Sequence, residues 1–567
     1  MSTQKTLEFY PTRGSLRVSA RQHWRIAVSD NATASEKYAA EEFQKWFNQA
    51  TRLTLPLDTV HENTDTNNGW ITIKGSSMLG DEDIEITVSD SQIQIKGGRP
   101  RGILYAVYQF LEELIGVRFL TADHTYIPDA STRQIPYGSY IYSPPFSFRW
   151  SYYRENSEDP TFAAKRKVNT VTDAENLGGK TQQQLINHSF HALVPYSTYG
   201  ESHPEYYALV DGKRDMNTHG GGPQLCVTNP EVIEVAAASA IQQLTDRPEA
   251  TNISVSQADT AAYCRCEACE TLNEAEDSPM GSQLTFVNAV AERIEKAHPH
   301  VKVGTLAYWY TRKPPQTIKP RHNVQIQLCS IECCTLHAID NPDCEQNRAF
   351  CQDTNEWGKI CDDIWIWNYN TNFRSYDLPF PNLRSIAPNV RYFLRNNAKG
   401  VFMQANGNGL SGEFSDLRNY LISHLIWDPH LDADALLNEF VNLHYEAAAP
   451  AILEYITFLH DNVETRGLHP RCFPTPEDVG LDAESAQAVF DYFQQALALA
   501  DKPEIRARVE KAAIPAYKAM LVAGGEMPSE ERLTLIDEYI ALCERYNMSH
   551  AAETQAAEAY FEELRSQ

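Results

Sequence analysis

The sequence predicts an α/β protein: a central (β/α)8 TIM-like barrel over residues 136–430, a small α/β domain ahead of it over 1–135 and a helical domain behind it over 431–567. Three observations carry that prediction. Before about residue 135, period-2 apolar runs alternate with amphipathic helical stretches. From about 140 to 430, strand-like runs recur at long intervals, as parallel strands separated by helices require. Beyond 431 the apolar residues keep helical spacing. A chain of 567 residues is also too long for a single core, which suggests roughly three domains.

In the first domain, Trp24–Val28 reads as a strand and Ala34–Gln49 as an amphipathic helix opened by Ser35. Trp70–Lys74, Ile84–Val88 and Ile93–Lys96 alternate apolar and polar residues, and Ser89-Asp-Ser91 between the last two predicts a hairpin. Residues 103, 104, 107, 110, 111 and 114 are apolar at helical spacing, with Gly116 as the C-cap. The Gly-x-x-x-x-Gly pattern from Gly97 lacks the Lys-Ser/Thr of a phosphate loop, which argues against nucleotide binding.

Eight segments are candidate barrel strands: 146–152, 188–193, 224–228, 253–257, 303–309, 324–331, 364–367 and 400–404. The second is the weakest. Further on, 432–447, 449–462, 482–500, 503–522 and 528–546 read as helices, broken near Pro470 and Phe473-Pro-Thr-Pro476.

A net charge of −26 argues against nucleic acid or an anionic membrane as partner, since both select basic surfaces. No run of about 18 apolar residues occurs, so no transmembrane helix is expected. The start, Met-Ser-Thr-Gln-Lys-Thr-Leu-Glu-Phe-Tyr10, has no apolar core of a signal peptide, making the cytoplasm the expected location as numbered. A leader removed beforehand would instead make it an exported protein. Oligomeric state is left open.

Two of the strand-like runs end in a carboxylate: Ile253-Ser-Val-Ser-Gln-Ala-Asp259 and Val324-Gln-Ile-Gln-Leu-Cys-Ser-Ile-Glu332. Strand C-termini form the open, functional face of a parallel barrel. A pair of acids there suits glycoside hydrolysis, in which one protonates the leaving oxygen and another handles the developing cation. Glu332, between Ile331 and Cys333, is the candidate acid/base, and Asp259 the candidate nucleophile or orienter of a 2-acetamido group. Each has a structural alternative, an ion pair for Glu332 and a backbone cap for Asp259. Glu413 is the reserve carboxylate. Sugar faces pack on aromatic rings while hydroxyls need directed polar groups. Tyr308, Trp367, His188, His191, Asn368 and Asn406 are therefore the candidate substrate-binding residues.

Cys264, Cys266 and Cys269 form a Cys-x-Cys-x-x-Cys cluster. It reads either as packed reduced thiols or as part of a structural zinc site whose fourth ligand comes from elsewhere. Catalysis by the carboxylates requires no cofactor.

The Arg101-Gly-Ile-Leu-Tyr-Ala-Val-Tyr-Gln-Phe-Leu-Glu112 core resembles the domain preceding the barrel in family 20 hexosaminidases and α-glucuronidases. Downstream, His203–Arg214, Gln224-Leu-Cys-Val-Thr-Asn229, Ser254–Asp259 with Tyr263–Cys269, Leu328–Cys334, Trp365-Ile-Trp-Asn-Tyr369 and Gly412–Tyr420 resemble glycoside hydrolase family 163. The resemblance covers roughly residues 95–430. It implies endo-β-N-acetylglucosaminidase action on N-glycan cores, a carbohydrate substrate and substrate assistance by the acetamido group. An α-glucuronidase, with Arg149, Arg154 or Arg214 meeting the uronate, and an exo-hexosaminidase are the neighbouring alternatives. A non-catalytic glycan-binding protein and a zinc-dependent hydrolase are the alternatives outside the class, though no His-Glu-x-x-His motif is present for the latter.

Overall fold

The computed structural model of the chain describes residues 8–61, 63–216, 222–410 and 412–566. Backbone packing divides the chain into two compact units. Met1–Lys180, Thr371–Ala387 and Gln404–Gln567 make the first, and Thr181–Asn370 with Pro388–Met403 the second.

The first unit contains a seven-stranded mixed sheet in the order Glu8–Arg17, Gln134–Tyr142, Ile84–Val88, Gln92–Gly98, Trp70–Ser76, Arg25–Ser29, Leu57–Val60. The expected hairpin pairs Ile84–Val88 antiparallel to Gln92–Gly98. Its period-2 pattern buries Ile84, Ile86 and Val88 on one face. The Ala34–Thr51 helix packs on the Arg25–Ser29 and Trp70–Ser76 strands of the same sheet and starts at Ala34 as expected, but Ser35 lies within its first turn and does not cap it. Thr33 is the N-cap, its side chain accepting from the Glu36 N–H while Glu36 returns a bond to the Thr33 N–H. The Gly102–Phe110 helix is buried on all sides, continues as a π-turn over Leu111–Ile115 and ends at Gly116 in the left-handed region, φ 93°.

The glycines before this helix serve packing. A Cβ on Gly97 would lie 2.2 Å from the Gly102 backbone, and one on Gly98 would lie 1.6 Å from the Gly80 carbonyl oxygen. The close approach of two backbones leaves no room for a phosphate. The C-terminal part of the same unit carries the helices Ala433–Tyr445, Ala449–Arg466, Ala483–Leu499, Pro503–Ala523, Ser529–Arg545 and Ala557–Arg565, with a short strand pair, His550–Ala552 and Gln555–Ala556, before the last.

In the second unit, strands Asn252–Ser254, Lys302–Ala307, Val324–Cys329, Ile364–Tyr369 and Ala398–Gln404 lie side by side in that order, the last ending at the unit's boundary. The first four pair in parallel, and the sheet curls as a half barrel. One face is apolar: Val303, Val324, Ile326, Leu328, Ile364 and Ile366 are buried there, and the Met280–Ala297 helix packs on the two strands carrying the first four. The pairings Gly304–Gln325, Leu306–Gln327, Gln327–Trp365 and Cys329–Trp367 place polar and aromatic residues on the other.

Two of the eight expected strands are corrected. Phe190–Leu193 is a helical turn. Residues 224–228 contribute only an isolated bridge, Leu225 to Tyr207. The physical reason at the former lies in the side chains of the Asn252–Ser254 strand. Asn252 Oδ1 accepts from the Gln184 N–H (2.7 Å) and its Nδ2 donates to the Gln184 carbonyl (2.9 Å). Ser254 Oγ accepts from the Asn187 N–H (3.1 Å). The segment thus runs beside the strand on side-chain bonds, and a closed eight-stranded barrel gives way to the half barrel.

Candidate functional site

The C-terminal ends of these parallel strands bring Asp259, His188 and Tyr308 together. Asp259 lies five residues beyond the Asn252–Ser254 strand, and the segment leading to it is fastened residue by residue. The Ser256 N–H donates to Ser189 Oγ (2.9 Å). The Gln257 side-chain amide donates to Thr311 Oγ1 (2.7 Å), and the Gln257 backbone carbonyl accepts from His188 Nδ1 (2.7 Å). Gln224 brackets Asp259 on both sides: its Nε2 donates to the Ala258 carbonyl (2.8 Å) and the Thr260 carbonyl (2.7 Å), and its Oε1 accepts from the Ala258 N–H (3.1 Å). Such a scaffold holds a carboxylate still without burying it.

The Asp259 side chain is 50% exposed. Its Oδ1 accepts from the Tyr308 hydroxyl at 2.9 Å. His188 Nε2 stands 3.7 Å from the same oxygen. Because Nδ1 must donate to the Gln257 carbonyl, this contact becomes an ion pair only when the imidazole is protonated. The His188 and Tyr308 rings meet edge to face, centroids 5.5 Å apart. Oδ2 of Asp259 has no hydrogen-bond partner among the described residues.

Glu332 follows the Val324–Cys329 strand. Its side chain is 32% exposed, and Oε2 accepts from Arg312 Nη1 at 2.6 Å. Sequence reasoning missed Arg312, which also donates through Nε to Asp353 (2.7 Å). Burial works to lower the Arg312 guanidinium, but Asp353 and Glu332 outweigh it and raise it above its ordinary value. Burial holds Asp353 above the usual carboxylate range despite that partner. Nothing in the local sequence signalled this pairing, since Arg312 and Glu332 belong to loops after different strands.

Trp367 is partly exposed on the polar face, stacked on Tyr369 at 6.3 Å and edge-on to Phe402 at 4.8 Å. Asn368 points the opposite way, is 5% exposed and donates to Ser330 Oγ (3.0 Å). His191 is exposed on its helical turn. Trp309, which sequence reasoning did not select, is 48% exposed and held at φ 55°. A bulky side chain in the left-handed region is uncommon and marks a position the surroundings enforce.

Glu413 and Asn406 belong to the first unit. Glu413 forms a buried ion pair with Arg418, and its Oε1 accepts from the Tyr455 hydroxyl (3.2 Å). Burial pushes this carboxyl up against the pull of Arg418. Both oxygens are engaged, so the group is not presented to solvent. Asn406 is 1% exposed and donates to the Gly409 carbonyl (3.0 Å), closing a turn.

The three clustered cysteines are joined by Cys226, and the four Sγ atoms lie within 4.8 Å of one another. This is a donor set suited to a thiophilic metal ion.

No curated protein matches the sequence. Among solved structures, a family GH115 4-O-methyl-α-glucuronidase matches with a TM-score of 0.52 at 11% identity, covering 92% of this chain and 76% of that one. The Flavobacterium johnsoniae chitobiase gives 0.47 at 12% identity over 99% and 98% of the two chains. The Vibrio harveyi GH20 exo-β-N-acetylglucosaminidase gives 0.42 at 12% over 77% and 76%. The first of these is a likeness of fold, that of a glycoside hydrolase. No helix among the described residues is long and apolar enough to cross a membrane. The family profile described as "Domain of unknown function (DUF4838)" matches residues 119–457, more than half of the chain, and the chain belongs to that family.

Proposed function

We propose that the chain is a glycoside hydrolase cleaving a β-linked N-acetylglucosamine-containing glycan, acting in the endo mode on an N-glycan core. One observation carries this reading: a half-exposed Asp259 carboxylate, fixed by Tyr308 at the mouth of a parallel sheet, keeps one oxygen for a ligand. A carboxylate so placed accepts a hydrogen bond from the N–H of a 2-acetamido group. The acetamido carbonyl oxygen then attacks the anomeric carbon as the bond to the leaving oxygen breaks, a recognised variant of the two-carboxylate scheme. Glu332 supplies the proton to that leaving oxygen and takes one from the water that opens the cyclic intermediate. Arg312 divides its charge between Glu332 and Asp353, so protonation of Glu332 costs it one partner and not both. Trp309 and Trp367 are the surfaces for sugar faces.

The test compares wild type with Glu332→Gln on a chitobiose-core N-glycan and an aryl N-acetyl-β-glucosaminide. Loss of activity in a folded variant supports the acid role, and cleavage of the glycan alone supports endo action. Wild type inactive on both substrates sinks the reading, and unchanged turnover in the variant removes Glu332 from it. The GH115 likeness favours an α-glucuronidase as second reading. Against it, Arg149 is fully buried on Glu82, Arg154 pairs with Glu158 and Arg214 donates to the Tyr207 carbonyl. An aryl glucuronide in the same assay decides between the two.

A further inference from the structure

We infer that Cys226, Cys264, Cys266 and Cys269 hold a single zinc ion as four thiolates, a structural centre that anchors the loop bearing Asp259. The inference is independent of the reaction catalysed.

The geometry is that of a ligand cage. A zinc–sulfur bond of about 2.3 Å in a tetrahedron places the sulfurs about 3.8 Å apart. Cys226 Sγ and Cys266 Sγ are 3.7 Å apart, and all four sulfurs lie within 4.8 Å of one another. A disulfide requires about 2.0 Å, and all four cysteines are free. A compact set of this size fits one ion.

The surroundings supply donors aimed at the sulfurs. The Leu209 N–H points at Cys264 Sγ (3.3 Å), and Thr228 Oγ1 lies 3.1 Å from Cys269 Sγ. Backbone and hydroxyl donors of this kind stabilise charge on metal-bound sulfur. Cys266 caps the Glu267–Ala275 helix and Cys269 sits in its first turn, where the positive end of the helix dipole favours an anion. Cys226, Cys264 and Cys269 are buried at 5%, 3% and 0% exposure. Four thiolates this close repel one another without a cation between them, whereas a divalent ion halves their charge. With four protein ligands the ion has no open position, so its role is structural.

The position of the cage gives the role content. Cys226 comes two residues after Gln224, whose amide brackets Asp259, and Cys264 comes five residues after Asp259. A metal bonded to both cysteines ties the stretch that follows Asp259 to the 224–226 segment, whose Gln224 already holds the Ala258 and Thr260 carbonyls. Asp259 is thereby positioned by a centre that never meets substrate.

Purified full-length protein, grown without added chelator, is expected to contain about one zinc per chain by mass spectrometry of its metals. A mercurial should release that zinc as four thiols become modified. Cys226→Ser and Cys269→Ser should each lower the content roughly tenfold or more, while Cys543→Ser, in the other unit, keeps it. Because a ligand variant can fail to fold, the unmutated chain grown in cobalt provides a second readout, a thiolate-to-cobalt charge-transfer band. Removing the metal from the wild type should speed hydrogen exchange across residues 257–266. A folded wild type that lacks bound metal and has all four thiols open to alkylation would overturn the assignment. So would a mass showing disulfides among the four cysteines, or iron in place of zinc.

Discussion

Replacing Tyr308 by phenylalanine removes one hydroxyl and leaves the ring against His188, 5.5 Å between centroids. The hydroxyl's bond to Asp259 Oδ1 is 2.9 Å long. Hydrogen bonds to charged groups contribute about 1.5–3 kcal/mol. Asp259 is 50% exposed, so water replaces part of the lost bond and about 1–2 kcal/mol is the working figure. At about 1.4 kcal/mol per factor of ten, kcat/KM should fall about 5- to 30-fold. The assay is hydrolysis of the substrate that wild type accepts, run on Tyr308→Phe, Asp259→Asn and the double variant, with circular dichroism confirming the fold. If Tyr308 works by fixing the Asp259 carboxylate, its loss should change little in the Asp259→Asn background. Equal loss in both backgrounds would refute the reasoning and place the Tyr308 hydroxyl on the substrate itself.

Two further outcomes concern stability. Glu82 is 8% exposed and accepts from Arg149 (2.5 Å), Arg101 (2.8 Å) and Asn169 (2.8 Å); burial pushes its carboxyl up, but the two guanidiniums bring it below its ordinary value. Glu82→Gln strands buried cations and should cost about 3–5 kcal/mol in denaturant unfolding, and a cost under about 1 kcal/mol would show that the arginines find other partners. His460 Nδ1 donates to the Ile456 carbonyl (2.7 Å) while Nε2 accepts from the Leu383 N–H (3.1 Å), so both nitrogens are committed to the neutral ring. Burial pulls this imidazole from 6.5 down to about 4. The unfolded chain then takes up a proton that the folded chain refuses, so the contribution is fully present above about pH 6.5 and is lost as pH falls toward 4. The loss is about 2 kcal/mol by pH 5. His460→Gln should flatten the dependence between pH 7 and pH 5, and parallel loss in variant and wild type would contradict it.

Helices and strands with strong periodicity were legible in the sequence. Ile84–Val88 and Gln92–Gly98 announced their hairpin by alternation, and the C-terminal helices by their 3.6-residue spacing, because burial on one face leaves that trace directly. The 182–189 segment was not legible. Its contacts with Asn252 and Ser254 are made by side chains whose polarity is as common in loops as in strands. Asp259 and Tyr308 could be named separately from strand ends, but their bond spans 49 positions and depends on how adjacent strands align. Glu413 was visible as a carboxylate near a strand end. Its commitment to Arg418 was not, since a five-residue spacing at the start of a helix carries no pairing signature. Cys226 stood among scattered cysteines, and only folding brings it to the Cys264–Cys269 cluster.

The side-chain bonding of Gln184 and Asn187 to the Asn252–Ser254 strand bears on how this molecule behaves in a crowded solution. An unpaired strand edge offers a row of N–H and C=O groups on which a strand from another molecule can dock, the first step toward aggregation. On this side of the half barrel the edge is occupied without being extended. The Asn252 amide and Ser254 hydroxyl tie down the neighbouring segment, and that segment does not run on as a further ladder. An arriving strand would have to strip those bonds before making its own. An incomplete barrel can therefore end here without becoming adhesive.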